Sequence, residues 1–386
     1  MPGKDGRFTE PGRLPSAEQA LMLRAALLPG VEGIEAAKTW LASADIDRLG
    51  KASRGLLPLL YQRFRRDGIE DPLMPTLKGV KRHTWYNNRL LFHHGAAAVR
   101  ILEQAGIEVM LLKGAALVAA YLHDGSMRPM EDLDLLVRHR DARSAVTALR
   151  RQGWIMRHAP HRSGQYLDDG LYTAAKGCHF VHASGIQIDL HWNLTSRCLG
   201  PHADDDFWAA SRDCRFEGQD ARVLHPADQL LHVVIHGAPW STISPIRWIP
   251  DAMVVLRHHP DPGWDRLVAQ ASARDLSLMV GTALRHLEGH FAGTVPHAVI
   301  AALDRVPRRL FERLEHWELT RAGPKGLVRS GVSLLCDHLR ESKDRSMPET
   351  VRLIPTFLKR RAGSQDLARL ASAMTRKVWR HLSAPR

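Results

Sequence analysis

Two aspartates two residues apart, Asp132 and Asp134, sit inside the apolar run Leu133, Leu135, Leu136 and Val137. Alternation of this kind reads as a β-strand, in which residues i and i+2 face the same way. Both carboxylates then leave one side of the strand, and two carboxylates that close repel unless a cation sits between them. The simplest occupant is a hard divalent ion that takes carboxylate and phosphate oxygens, Mg2+ or Mn2+. Such a centre supports metal-assisted phosphoryl or nucleotidyl transfer. The pair alone is a weak signal, because Asp-x-Asp more often decorates a turn or caps a helix.

Flanking blocks strengthen it. Upstream, an apolar run from Ile107 ends in Lys113-Gly114 and gives way to a helical pattern ending near Tyr121. A glycine at a strand-to-helix turn lets backbone N–H groups approach a phosphate, and Lys113 adds a point charge; the bland alternative is an exposed turn lysine. Downstream, Gly185 to Trp192 reads as a second strand with Asp189 at its C-terminal end and His191 on the same face. Arg128 either clamps a phosphate bidentately or pairs with Glu131 or Asp132 as scaffold. Glu131 alternates to the opposite face and reads as structural. Arg247 and Asp251, one helical turn apart, read as a surface ion pair. His232 and His236 have metal-ligand spacing on a helix but lack the glutamate of a zinc protease between them, and read as core or cleft histidines. No P-loop and no nucleophile-elbow motif is present.

The order of strand, Lys-Gly turn, helix, Asp-x-Asp strand and later Asp strand resembles the uncharacterised bacterial nucleotidyltransferase family of the polymerase-β-like superfamily. The likeness rests on Leu112-Lys113-Gly114-Ala115-Ala116-Leu117, on Arg128-Pro129-Met130-Glu131-Asp132-Leu133-Asp134, and on Ile188-Asp189-Leu190-His191-Trp192. The helical stretches around Leu230 to His236, Arg247 to Asp251 and Trp264-Asp265 fit the same family. The resemblance implies an α+β fold: a nucleotidyltransferase core of mixed sheet and helices, framed by N-terminal and C-terminal helical regions. It implies Asp132, Asp134 and Asp189 as metal ligands, the last also a candidate base, and Lys113, Gly114, Arg128 and Arg247 as nucleotide contacts. The implied reaction moves an NMP, AMP being one candidate, from an NTP (ATP first among them) to an acceptor hydroxyl or phosphate. The acceptor stays open among a peptide, a small molecule and RNA. Lys113-Gly114-Ala115 departs from the Gly-Gly or Gly-Ser turn usual in the superfamily, which leaves the mode of triphosphate binding open. The competing readings are a non-catalytic nucleotide-binding module and a kinase-like phosphotransferase on the same fold.

The elements that must position these residues follow from pattern. Residues 1–15 are rich in Gly, Pro and charge and read as disordered; 16–106 is helical, with Trp85, Leu90, Leu91, Val99 and Leu102 expected on the buried side and Gly106 as the stop. Residues 107–224 carry the strands, including a hairpin turning at Ala183-Ser184-Gly185, and 225–386 is helical. A basic amphipathic helix is expected over 365–382, packed on its own domain. The 386 residues are 44% hydrophobic, enough for a packed core, and the net charge of +13 favours an anionic partner. Four scattered cysteines form no C-x-x-C pair and suit a reducing cytoplasm. No apolar run is long enough to insert in a membrane.

Overall fold

The computed structural model describes residues 15–157, 172, 175–237, 246–320, 327–343 and 345–362. The expectations for the N-terminal tail and for a helix over 365–382 lie outside these residues. Seven strands form one mixed sheet in the order β3-β4-β5-β2-β1-β7-β6. They are β1 (Met110–Leu111), β2 (Leu133–Leu136), β3 (Ile155–Arg157), β4 (Gly177–Val181), β5 (Gln187–His191), β6 (Arg212–Phe216) and β7 (Gln219–Val223). β2 runs antiparallel to β1 and parallel to β5, and β1 runs parallel to β7. The α+β core framed by helices is therefore present.

Period-two alternation sorts the central strands between two cores. Val109, Leu111, Leu133, Leu135, Val137, Ile188 and Leu190 pack on one face, together with the helices Met74–Gln104 and Ala142–Arg151. Met110, Leu112 and Leu136 face the other way, into a helical body. That body is built from both chain ends: the helices Ala17–Leu27, Gly30–Leu41 and Leu57–Arg66 share a core with Pro226–Gly237, Trp248–His258 and Ser277–His290. The Arg257 guanidinium donates to the Leu27 carbonyl and ties the two ends together. Asp134 lies on the same strand face as Leu136, so the carboxylates look toward this helical body.

Helix Met74–Gln104 corrects one expectation. Trp85 and Leu90 are 51% and 40% exposed, whereas Leu91, Val99 and Leu102 are buried. The buried stripe runs instead through Leu77, Thr84, Asn88, Leu91, Gly95, Ala98 and Leu102. Polar Thr84 and Asn88 occupy core positions that an apolar count passes over. Asn88 is there for its amide, which donates to the carbonyls of Gly125 and Arg128 and accepts from the Met130 N–H, pinning the segment that leads into β2. The helix stops as its sequence suggests: Gly106 is left-handed (φ 72), and the Ile107 N–H closes onto Leu102. Ser16 opens the first helix with a capping box completed by Gln19.

Gly95 is where that helix crosses β2. A Cβ there would land 2.5 Å from Leu133 Cδ2, and Leu133 has no exposed surface to retreat into. Gly95→Val should therefore destabilise the fold by about 1–3 kcal/mol, the usual scale of overpacking, read as a lower urea midpoint with an unchanged slope.

Candidate active site

The parallel pairing of β2 with β5 sets Asp134 directly beside Asp189. The antiparallel pairing of β4 with β5 sets His179 opposite Asp189. Three polar side chains thus line up across three neighbouring strands on one face. His191, two residues beyond Asp189, shares that face and hydrogen-bonds Asp134 Oδ1 through Nε2 at 3.0 Å. His179 Nδ1 meets Asp189 Oδ1 at 2.8 Å and orients it. Asp189 stands at the middle of β5, with His191 at the strand's end, rather than at the C-terminal position the pattern suggested.

Asp132 lies in the bend just before β2 and is half-buried, while Asp134 is 4% exposed. The two carboxylates have opposite fates. Burial raises Asp134, but the Lys113 ammonium, in contact with Oδ1, and the His191 hydrogen bond outweigh it and hold the carboxyl well below the usual carboxylate range. Burial and then the neighbouring Asp134 charge push Asp132 up to about 6. Burial, followed by the Lys176 ammonium, lowers His191 to about 4, so its ring is neutral at pH 7. An ionised Asp134 can only accept, so His191 Nε2 carries the hydrogen. Its Nδ1 is then a bare, buried lone pair with no partner among the described residues.

Lys113 sits at the turn from β1 into helix Lys113–Leu117 with φ 47, a left-handed conformation that costs a non-glycine residue about 1 kcal/mol or more and gathers at functional sites. Gly114 lies hard against the Arg128 guanidinium and the Met130 side chain, and a Cβ there would force both to shift. Arg128 pairs with neither Glu131 nor Asp132. Its Nε donates to both oxygens of Asp251 at 2.9 and 3.1 Å, and its Nη2 donates to Oδ2 at 2.8 Å. Asp251 is thereby taken from Arg247, which stands beside Arg128 with no ion pair among the described residues; the expected surface pair does not form. Glu131 is exposed and bonded to Lys51.

Ligand atoms of Asp134, Asp189 and His191 all lie within 4.8 Å of one another. The set fits a divalent cation: two hard carboxylates, one of them buried and permanently ionised, and an imidazole with an orphaned nitrogen. Asp132 stands outside this trio but is coupled electrostatically to Asp134 and Asp189. A family model described as an uncharacterised nucleotidyltransferase matches residues 43–292. The chain belongs to that family. This nucleotidyltransferase is accordingly a transferase of phosphorus-containing groups, and a nucleotide is its substrate. No curated protein matches the chain. No helix among the described residues is long and apolar enough to cross a membrane.

Two groups of the nucleotidyltransferase site escaped the sequence reading. Lys176, just before β4, has a side chain lowered to about 8 by burial and by Lys113, and nothing in the sequence marks it. His179 was within reach, because a hairpin turning at Ser184-Gly185 places position 179 opposite 189. His232 is buried and His236 exposed, with ring centroids 5.8 Å apart, as cleft histidines.

The Asp132 shift has a sign that can be measured. Its carboxyl titrates near 3.8 unfolded and about 6 folded, so the native state binds the extra proton between those values and stability falls as pH rises through that window. Above pH 6 the ionised group is a cost. In EDTA, Asp132→Asn should therefore be more stable than wild type by about 1–3 kcal/mol at pH 7, with the gain vanishing toward pH 4, as followed by denaturant unfolding across pH.

Proposed function

We propose that this protein transfers an NMP from a divalent-cation–NTP complex to an acceptor hydroxyl or phosphate and releases pyrophosphate. The observation that carries the reading is the side-by-side register of Asp134 and Asp189 with His191 closing the set. Asp132, Asp134, Asp189 and His191 would hold Mg2+ or Mn2+. When bound, such an ion neutralises charge on the α-phosphate and lowers the pKa of an attacking oxygen.

The protein's own groups do the rest. Lys113 already neutralises Asp134. With the nucleotide in place, its ammonium moves to the triphosphate, a short swing from the same turn. Arg247, which has no ion pair among the described residues, supplies a second charge to the phosphates. Arg128 contributes from beside it while staying anchored on Asp251. Asp189, oriented by His179, takes the proton from the acceptor. The acceptor oxygen forms a bond to the α-phosphorus as the bond to the bridging oxygen of the β-phosphate breaks, and pyrophosphate leaves with that electron pair. A cytoplasmic setting suits four free cysteines, and ATP is the nucleotide we propose.

Transfer is tested with α- and γ-labelled ATP. The α label should pass to the acceptor with pyrophosphate as co-product, and EDTA should stop it. Asp189→Asn should leave NTP affinity within a few-fold while cutting transfer by about a hundredfold or more, the scale of a lost general base. Movement of the γ label instead would make the enzyme a phosphotransferase, and full activity in excess EDTA would remove the divalent cation from the reaction.

A further inference from the structure

Helix Met74–Gln104 buries one face and leaves another bare. Its outward stripe runs through Lys78, Arg82, Trp85, Tyr86, Arg89 and Leu90, the spacing of a single helix face, and all six are exposed. At 1.5 Å per residue the stripe is about 18 Å long. Trp40, Trp154, Trp192, Trp208 and Trp248 are buried, whereas Trp85 and its neighbour Tyr86 are 51% and 56% exposed. An indole left in water adds nothing to the fold, and two large rings side by side on a surface mark a place of contact.

Charge gives the sign of the partner. From Met74 to Leu102 the helix carries Lys78, Lys81, Arg82, Arg89 and Arg100 and no Asp or Glu. Lys81 faces Asp124, and Arg89 bonds Glu217 at the rim of the stripe. Lys78 and Arg82, which flank the rings, have no ion pair among the described residues. A second copy of this face would set cation against cation across a two-fold axis. A membrane would have to take in Arg82 and Arg89 along with the rings, because the apolar face of this helix is already packed into the core. A single-stranded nucleic acid fits both features: its phosphates follow the cations and its unpaired bases stack on the rings. RNA is the nucleic acid that commonly presents such bases, in loops and ends.

We infer that this outer face of helix Met74–Gln104 is a docking surface for single-stranded RNA. Another side of the same turns carries Asn88, which holds the backbone of Gly125, Arg128 and Met130 on the way to Asp132. A docked strand therefore lies about one helix diameter, 10–12 Å, from the segment that leads into the candidate site. The inference goes beyond the transfer reaction proposed above and does not depend on it.

The test is the fluorescence anisotropy of a labelled, unstructured oligoribonucleotide of about 12 nucleotides titrated with the full chain. It should bind about tenfold tighter than the same strand annealed to its complement, because a duplex hides the base faces. Trp85→Ala and Tyr86→Ala should each weaken binding about fivefold or more and leave its salt dependence unchanged. Lys78→Gln and Arg82→Gln should each flatten the slope of log K against log salt concentration by about 0.7. All four side chains are exposed, so the melting temperature should stay at the wild-type value. Trp85→Phe, which keeps a ring, should retain most of the affinity and separates stacking from damage to the fold. No binding at about 50 mM salt, equal binding of the duplex, tighter binding of the matching deoxy strand, or RNA binding that none of the four substitutions moves overturns the inference. So does sedimentation with phosphatidylserine vesicles that Trp85→Ala abolishes and RNA does not compete away, which would give the face to a membrane.

Discussion

The contact between the Lys113 ammonium and the buried Asp134 carboxylate is the constraint on which the site depends. Neighbouring strands lie about 5 Å apart, and two unit charges at that distance repel by about 3 kcal/mol at an effective dielectric of 20. The sheet carries Asp134 and Asp189 side by side all the same. It can do so because Lys113, placed by a left-handed turn at the end of β1, reaches Oδ1 of Asp134, and His191 donates to the same oxygen. The compensation is local and incomplete. Asp132 is left raised by burial and by Asp134, and Lys176 is pressed downward by burial and then by the same lysine. Two lysines among three carboxylates leave the charge uncompensated at Asp132, an arrangement suited to a divalent ion; in the proposed reaction Lys113 then meets the phosphates.

The scaffold around that contact is arranged to hold it. One strand face is buried against helices Met74–Gln104 and Ala142–Arg151, which fixes the register. The opposite face presents the carboxylates to a helical body drawn from both ends of the chain. Asn88 reaches from the long helix to hold the backbone of Arg128 and Met130. Arg128 in turn locks onto Asp251 of the helix Trp248–His258, so the bend carrying Asp132 is gripped from both sides. A buried pair of this kind adds little net stability, but losing one partner would leave an uncompensated charge. Its work here is positional.

How much of this was legible in the sequence follows from where the signal is local. The alternation Leu133, Asp134, Leu135 and the Gly185 turn are short-range patterns, and they marked β2, β5 and the hairpin of β4 with β5, whereas the side-by-side placing of Asp134 and Asp189 depends on the pairing of β2 with β5. Gly106 marked a helix end for the same reason. Asn88 and Thr84 were not legible, because a polar residue in a buried stripe makes sense only when its long-range partner is known. The Arg128–Asp251 pair joins residues far apart in sequence, so the local rule paired Asp251 with Arg247 instead. Lys176 belongs to the site through the fold alone. His191 was readable as a neighbour of Asp189, but its place within ligand distance of Asp134 depends on the parallel pairing of β2 and β5.

The proposed sharing of Asp134 between Lys113 and a divalent ion can be put to a direct measurement: Mn2+ binding to the nucleotide-free protein by electron paramagnetic resonance, for wild type and Lys113→Met. With the competing ammonium removed, Mn2+ should bind about tenfold tighter or more, and added ATP should no longer improve it as it does in wild type. Mn2+ affinity that is unchanged or weaker in Lys113→Met, with the fold intact, would contradict the arrangement in which Lys113 holds the place of the metal.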